Sequence, residues 1–263
     1  MTDTAVTTEV DGPVFIISIN LPQKRNAVDR FTAATLRHAF EHFEENAELR
    51  VAVLTGAGGN FCAGADLVAM EDPARRNEVD IKRGGAGPMG PTRMALSKPL
   101  IAAVAGYAVA GGLELALMCD LRIAEQSAVF GVFCRRWGVP LIDGGTVRLP
   151  RIVGQGRALD MILTGRPVHA EEALQMGLAN RVVADGESLA AARALAHEIA
   201  GFPQQCVKAD RLSVYRQWDY ELAEALVREI AGSSAVVLEE AVEGSRSFAS
   251  GKGRHGQFDN NKK

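Results

Sequence analysis

The chain has 263 residues, 47% of them hydrophobic and 23% charged, and a formal net charge of −3. That length buries a full core for one large domain, or a domain with an appendage, and the composition is that of a soluble globular protein. The slight acidity supplies no basic field for nucleic acid, no apolar run approaches the roughly 18 residues of a membrane span, and MTDTAVTTEVDG at the amino terminus lacks the regions of a secretory signal; a cytosolic protein with no nucleic-acid or membrane partner is expected.

In chain order, VFIISIN (14–20), VAVLT (51–55), LIAAVA (100–105) and LRIA (121–124) read as buried strands. Between the first two, Leu36, Ala39, Phe40 and Phe43 recur at helical spacing, with Asp29 or Arg30 near the helix start. Strands alternating with helices imply crossover connections and a largely parallel sheet. GAGG at 56–59 lacks the G-x-G-x-x-G spacing and an acidic ribose partner, and no G-x-x-x-x-G-K-[ST] occurs. Nucleotide-binding readings are set aside.

GGNFCAGADL (58–67) follows the second strand, and Gly64 and Ala65 place a backbone N–H where little bulk shields it. Cys62 has no basic neighbour to lower its pKa and reads as a small buried hydrophobe. RGGAGPMGPT (83–92) holds four glycines and two prolines. It predicts a mobile loop without regular structure, either a tolerated surface insertion or a flap over a ligand.

AVAGGLELALMCD (108–120) reads as a buried helix opening at Gly111–Gly112. Its first amides lack intrahelical acceptors and carry the positive end of the dipole, so they stabilise an oxyanion without a charged side chain. Glu114 follows one turn in, among Leu113 and Leu115–Met118, a setting that buries it. The plainer alternatives are tight packing for the glycines and dipole complementation for the glutamate. Against the second stands the cost of burying a carboxylate without a partner. Two backbone donors converging beside one carboxylate are what a carbonyl oxygen turning into an enolate requires.

After FG (130–131) comes VFCRRWGVPLIDGGT. Arg135, Arg136 and Trp137 read either as a solvated pair beside a packing aromatic or as a grip on a carboxylate of a ligand. Asp143, just before GGTVRL, is a good helix N-cap for the amides of Gly145 or Thr146, and equally a candidate acid or base. The four cysteines and five histidines are scattered without C-x-x-C or H-E-x-x-H spacing, so neither a metal site nor a disulfide framework is expected.

From about 187 the pattern is helical only. Leu189, Ala192, Ala196 and Ile199 share one face, and Gly201 with Pro203 marks a break. Val214, Trp218, Leu222, Ala225 and Leu226 form a second stripe, and Val237, Ala241, Gly244 and Phe248 a third. These stripes need a partner surface, on the main domain or another subunit. The division expected is a core over 1–200 and a helical region over 201–263. The basic, glycine-rich tail GKGRHGQFDNNKK is expected to lack order at its end or to border an anionic ligand.

Taken together, NLPQKRNA (20–27), FCAGADL, KP (98–99), GYAVAGGLELALMCD, FG, GGT (144–146), LTGRPVHAEEALQMGLANRVV (163–183) and the tail from Phe248 to Phe258 resemble, in order and spacing, the crotonase (enoyl-CoA hydratase/isomerase) family along nearly the whole chain. The resemblance implies an α/β spiral of ββα units, with a C-terminal helical region used for trimerisation. A homotrimer or dimer of trimers would then act on an acyl-CoA thioester, with coenzyme A entering as part of the substrate and no separate cofactor. It implies Ala65 and Gly111 as the two oxyanion donors and Glu114 as one of the two glutamates that hydratases use. The backbone around Arg25, Ala27, Ala63, Asp66 and Leu67 would hold the nucleotide end of CoA, with Lys24 or Arg25 near phosphate. Trp137 is expected to join the substrate-binding set.

One departure bears on the reaction. Hydratases of the family carry their second glutamate three positions after the glycine of FG, and here Cys134 stands there. A thiol with an ordinary pKa of about 8.5 is a poor substitute for a carboxylate that holds water and delivers a proton. Ala110 also replaces a common glycine before Gly111 while leaving the amide in place. Enoyl-CoA hydration is the default expectation. The alternatives are double-bond isomerisation by Glu114 alone or with Asp143, and a catalytically silent acyl-CoA-binding protein.

Overall fold

Parallel strands buried on both faces need continuous apolar runs, and the main sheet is built from such runs. The computed structural model describes residues 4–79, 81, 86–251 and 253. Their strands are β1 (Val6–Asp11), β2 (Val14–Ile19), β3 (Val51–Gly56), β4 (Leu100–Val104), β5 (Tyr107–Val109), β6 (Leu121–Glu125), β7 (Val129–Gly131), β8 (Val168–His169) and β9 (Arg181–Val183). The helices are α1 (Arg30–Glu45), α2 (Gly111–Met118), α3 (Gly145–Val153), α4 (Gln155–Thr164), α5 (Ala170–Gln175), α6 (Ser188–Ala200), α7 (Gln204–Arg216), α8 (Leu222–Val236) and α9 (Val242–Ala249).

The main sheet has the order β1-β2-β3-β4-β6-β9. Only β1 runs antiparallel to its neighbour; the other four pairings are parallel. Alternation along the strands sorts the two faces. Val14, Ile16, Val51, Val53, Ile101 and Ala103 pack with Ala192, Leu195 and Ala196 of α6. Phe15, Ile17, Ala52, Leu54, Leu100 and Ala102 point the other way, into the larger core with Leu36, Phe40 and Phe43 of α1 and with α2. A smaller sheet, β5-β7-β8, lies beside α2.

Four strands and α1 match the apolar runs read from the sequence. Asp29 caps α1, its side chain accepting from the Thr32 amide at 3.0 Å. The chain divides into two compact units, Met1–Ala200 and Gly201–Lys263. In the second, the stripe expected from Val214 to Leu226 is not one helix. It crosses the end of α7, a 3-10 turn at Gln217–Asp219 and the start of α8. The third stripe runs through a π-helical turn at Val237–Ala241 into α9. Among the described residues no helix is long and apolar enough to cross a membrane. The tail after Gly251 lies outside the described residues, apart from Gly253.

The glycine- and proline-rich stretch 83–92 also departs from expectation. Residues 82–85 fall outside the described set, but 86–92 is structured. Gly87 and Gly90 form a bridge, Pro91–Arg93 makes a 3-10 turn, and Met89 and Thr92 are buried. The reason is tertiary. Turn-forming residues here fold onto α2 and the start of α3, where their backbone and side chains find partners that local sequence does not reveal.

Candidate active site

Two chain segments are zipped together at the centre of the first unit. The Cys62 amide donates to Tyr107 O at 2.8 Å, and the Val109 amide returns to Cys62 O at 3.1 Å. Ala63 N–H donates to Arg25 O and Asp66 N–H to Val28 O, both at 2.9 Å. Between them the Ala65 amide has no protein acceptor among the described residues, and neither has the Gly111 amide at the first position of α2. Gly64 lets the two approach. It has φ +95°, and a methyl group on it would come within 2.9 Å of Gly111 N. Ala110, just before α2, holds φ +54° and ψ −127°, a conformation that strains a residue with a Cβ and is kept by the contacts around it.

Both amides line a cavity of about 1060 Å³, and Glu114 and Asp143 share its wall. Glu114 is 2% exposed. Its Oε1 accepts from the Asp143 and Gly145 amides, each at 2.8 Å. The carboxylate therefore serves as the cap of α3, whose own N-cap, Gly144, has no side chain to do so. Gly145 makes room for it, since a methyl there would lie 2.9 Å from Oε1. Burial raises the Glu114 pKa to about 7, helped by the Asp143 charge and opposed by the two amides and Arg148.

Asp143 is not the helix cap that its position before Gly144–Gly145 predicts. Its Oδ1 accepts instead from the Met89 amide at 2.9 Å and from the Thr92 hydroxyl. The cap role fell to Glu114 because α2 places a carboxylate over the same amides. Burial pushes the Asp143 pKa up, against the Thr92 hydroxyl, the Met89 amide and the charges of Arg93 and Arg148. Each carboxylate thus has one oxygen tied, while Glu114 Oε2 and Asp143 Oδ2 accept no hydrogen bond among the described residues.

Cys134 lies on the cavity wall, buried, its thiol pKa pushed up by burial and by the Glu114 charge. Cys62 is fully buried, as read, and bonded through Sγ to Asn26 O at 3.1 Å, with its pKa pushed up to about 12. Arg135 donates to Ile162 O at 3.1 Å and Arg136 to Gly165 O at 2.9 Å, with the Arg136 guanidinium 4.0 Å from the Phe133 ring centroid. Only Arg136 of the pair lines the cavity, and Trp137 stands on its rim, 71% exposed.

Of the remaining residues, Arg25, Ala63 and Leu67 line the cavity, whereas Lys24, Ala27 and Asp66 do not. The Arg25, Ala27, Ala63 and Asp66 amides all donate to protein carbonyls, and the Leu67 amide has no acceptor among the described residues. Lys24 Nζ sits 2.9 Å from Asp66 Oδ2, and Arg75 lies 3.0 Å from Asp29 and 3.5 Å from Asp66. Met89, Thr92 and Arg148 were missed from sequence. Met89 alone carried a signal, an apolar residue set between glycines and prolines in a stretch otherwise made for solvent; Thr92 and Arg148 carried none.

A family model described as Enoyl-CoA hydratase/isomerase matches residues 9–255. The chain is 36% identical over 247 residues to Enoyl-CoA hydratase EchA19 of Mycobacterium tuberculosis, covering 90% of this chain and 91% of that protein. It is equally similar, 36% over 247 residues, to the Carnitinyl-CoA dehydratase of Salmonella enteritidis, covering 91% and 93%. Among solved structures, an enoyl-CoA hydratase from Mycobacterium tuberculosis superposes with a TM-score of 0.88 at 35% identity, over 94% of this chain and 96% of that one.

Proposed function

The chain belongs to the enoyl-CoA hydratase/isomerase family, and we propose that it adds water to, or removes it from, an acyl-CoA thioester with Glu114 and Asp143 as the proton-transfer pair. The observation that carries this reading is the pairing, in one cavity wall, of two half-tied carboxylates with two amides that have no acceptor among the described residues. The relatives named hydratase and dehydratase both act, by name, on CoA thioesters, in the two directions of one reaction class.

The thioester carbonyl accepts from Ala65 N–H and Gly111 N–H, which stabilise it most when it becomes an enolate oxyanion. Two buried carboxylates side by side hold one proton between them over an intermediate pH range. The Thr92 and Met89 donors favour charge on Asp143, and Glu114, near pH 7, carries the shared proton. In hydration Asp143 Oδ2 takes a proton from water as its oxygen bonds the β-carbon. Glu114 Oε2 gives its proton to the α-carbon as the enolate collapses. Dehydration runs the same transfers backwards. Cys134 transfers no proton in this scheme, since its thiol is held neutral.

Arg25 and the Leu67 amide face the CoA portion, and Trp137 covers the mouth; Lys24 supports that end through Asp66. Coenzyme A enters within the substrate and no further cofactor is needed. The apolar residues exposed on α8 and beyond are read as the contact surface of a homotrimer or dimer of trimers.

Hydration of a series of 2-enoyl-CoAs tests the proposal. Glu114→Gln and Asp143→Asn are each expected to lower kcat by about 10²–10⁴, and Cys134→Ala to leave turnover within a few-fold. Isomerisation is the second reading, favoured by Cys134 standing at the second-glutamate position. It predicts turnover of 3-enoyl-CoAs that survives Asp143→Asn. Tight binding without turnover of either series points to a silent acyl-CoA binder and sinks both.

A further inference from the structure

Thr92 comes from the 3-10 turn at Pro91–Arg93, 51 residues before Asp143, and is almost completely buried. Its hydroxyl donates to Asp143 Oδ1. Its carbonyl accepts from Arg148 Nη2 at 2.7 Å, while Arg148 Nη1 donates to Asp143 O at 3.0 Å. One guanidinium therefore ties both main chains together beside the hydroxyl–carboxylate bond. Gly87 leaves the space for that bond: a methyl group there would overlap the Thr92 hydroxyl and come within 2.7 Å of Asp143 Oδ1. Turn, glycine and arginine are all arranged around one contact.

We propose that Thr92 is a positioning residue for the reaction, holding Asp143 by Oδ1 so that Oδ2 is presented to the cavity as the basic oxygen. The inference rests on the reading of Asp143 as half of the proton-transfer pair. A hydroxyl has one proton, and spent on Oδ1 it binds the ionised carboxylate better than the protonated one. It also stops rotation of the carboxylate, which would otherwise exchange its two oxygens. Other groups acting on the same carboxylate are the Met89 amide, Arg148 from α3 and Arg93 from the turn itself; the Asp143 charge bears on Glu114 from α2, and the Glu114 charge in turn on Cys134.

The test uses Thr92→Val, which keeps shape and removes the proton, and Thr92→Ser, which keeps it, in the full chain. The readouts are kcat and KM against pH on an enoyl-CoA, and the ionisation of Asp143 without substrate by ¹³C-carboxyl NMR, assigned with Asp143→Asn. Thr92→Val is expected to raise the Asp143 pKa and the acid limb of kcat by about one unit, so that kcat falls by up to about tenfold on the acid side of the profile, and to leave KM within about twofold. Thr92→Ser is expected to stay within threefold of the parent throughout. Thr92→Ala, which removes the same proton with less bulk, replaces the valine variant if that one does not fold.

An unmoved Asp143 titration in the hydroxyl-free variants, or a serine variant as impaired as valine, overturns the inference. A shifted titration with undiminished turnover in Asp143→Asn leaves the Thr92 contact standing and removes the catalytic role of Asp143 instead. The two failures are therefore distinct.

Discussion

At the residue scale the centre of the molecule is Glu114, buried among leucines with its Oε1 accepting from the Asp143 and Gly145 amides at the N-terminus of α3. Its pKa stands above the ordinary carboxylate value, so the folded state binds a proton that the unfolded chain would release. The stability this group contributes is full below about pH 4.5 and is lost as pH rises through about 7. Glu114→Gln removes that dependence. The difference in unfolding free energy between variant and parent is expected to move in the variant's favour by about 3 kcal/mol from pH 4.5 to pH 8, measured by denaturant melts at both pH values. A flat difference would place the carboxylate in an environment more polar than the structure shows. Glu114 was legible in the sequence because leucines on both sides of a helical carboxylate already announce burial. Its partners were not, because Asp143 and Gly145 lie about thirty residues away.

At the scale of elements, what could be read was what repeats locally. Strands β2, β3, β4 and β6 appear as apolar runs because both faces of a parallel sheet are covered. Helix α1 appears through Leu36, Phe40 and Phe43 and through Asp29, which sits at its N-cap. Burial alone would raise the Asp29 pKa, but the Thr32 amide and hydroxyl, Arg75 and Lys24 outweigh it and hold the carboxyl below its ordinary value. The cap is therefore at full strength above about pH 3.8 and weakens as pH falls through the lower folded value. Asp29→Ala is expected to destabilise by about 1–2 kcal/mol at pH 7, with the loss shrinking as pH falls below about 3.8. An equal loss at both pH values would show packing, not the charged cap, to be responsible. The short strands β5, β7, β8 and β9 have two or three residues each, too few for a period to show. The second apolar stripe of the helical unit misled for the opposite reason, since helical spacing continued across a 3-10 turn and the extended residues Tyr220 and Glu221.

For the whole molecule, the second unit leaves large apolar side chains uncovered: Leu222 and Leu238 are 75% exposed and Ile230 is 74% exposed. Such a surface is costly for a monomer. Sedimentation equilibrium is expected to give a mass three or six times the 28.1 kDa of the chain. Ile230→Glu should lower that mass; a monomeric parent protein would remove the oligomer from the proposal. The fold family, the parallel sheet, the two amide-bearing turns and the buried Glu114 could all be read from the residues alone. Each depends on residues adjacent in the chain: apolar runs, glycines where backbones meet, a carboxylate ringed by leucines. How the carboxylates are bonded followed from the three-dimensional packing. It gave α3 its cap from α2 and turned Asp143 toward Thr92 and Met89. A carboxylate before a helix has several donors within reach, and which one it takes depends on a segment folding back from fifty residues away, which no local pattern encodes.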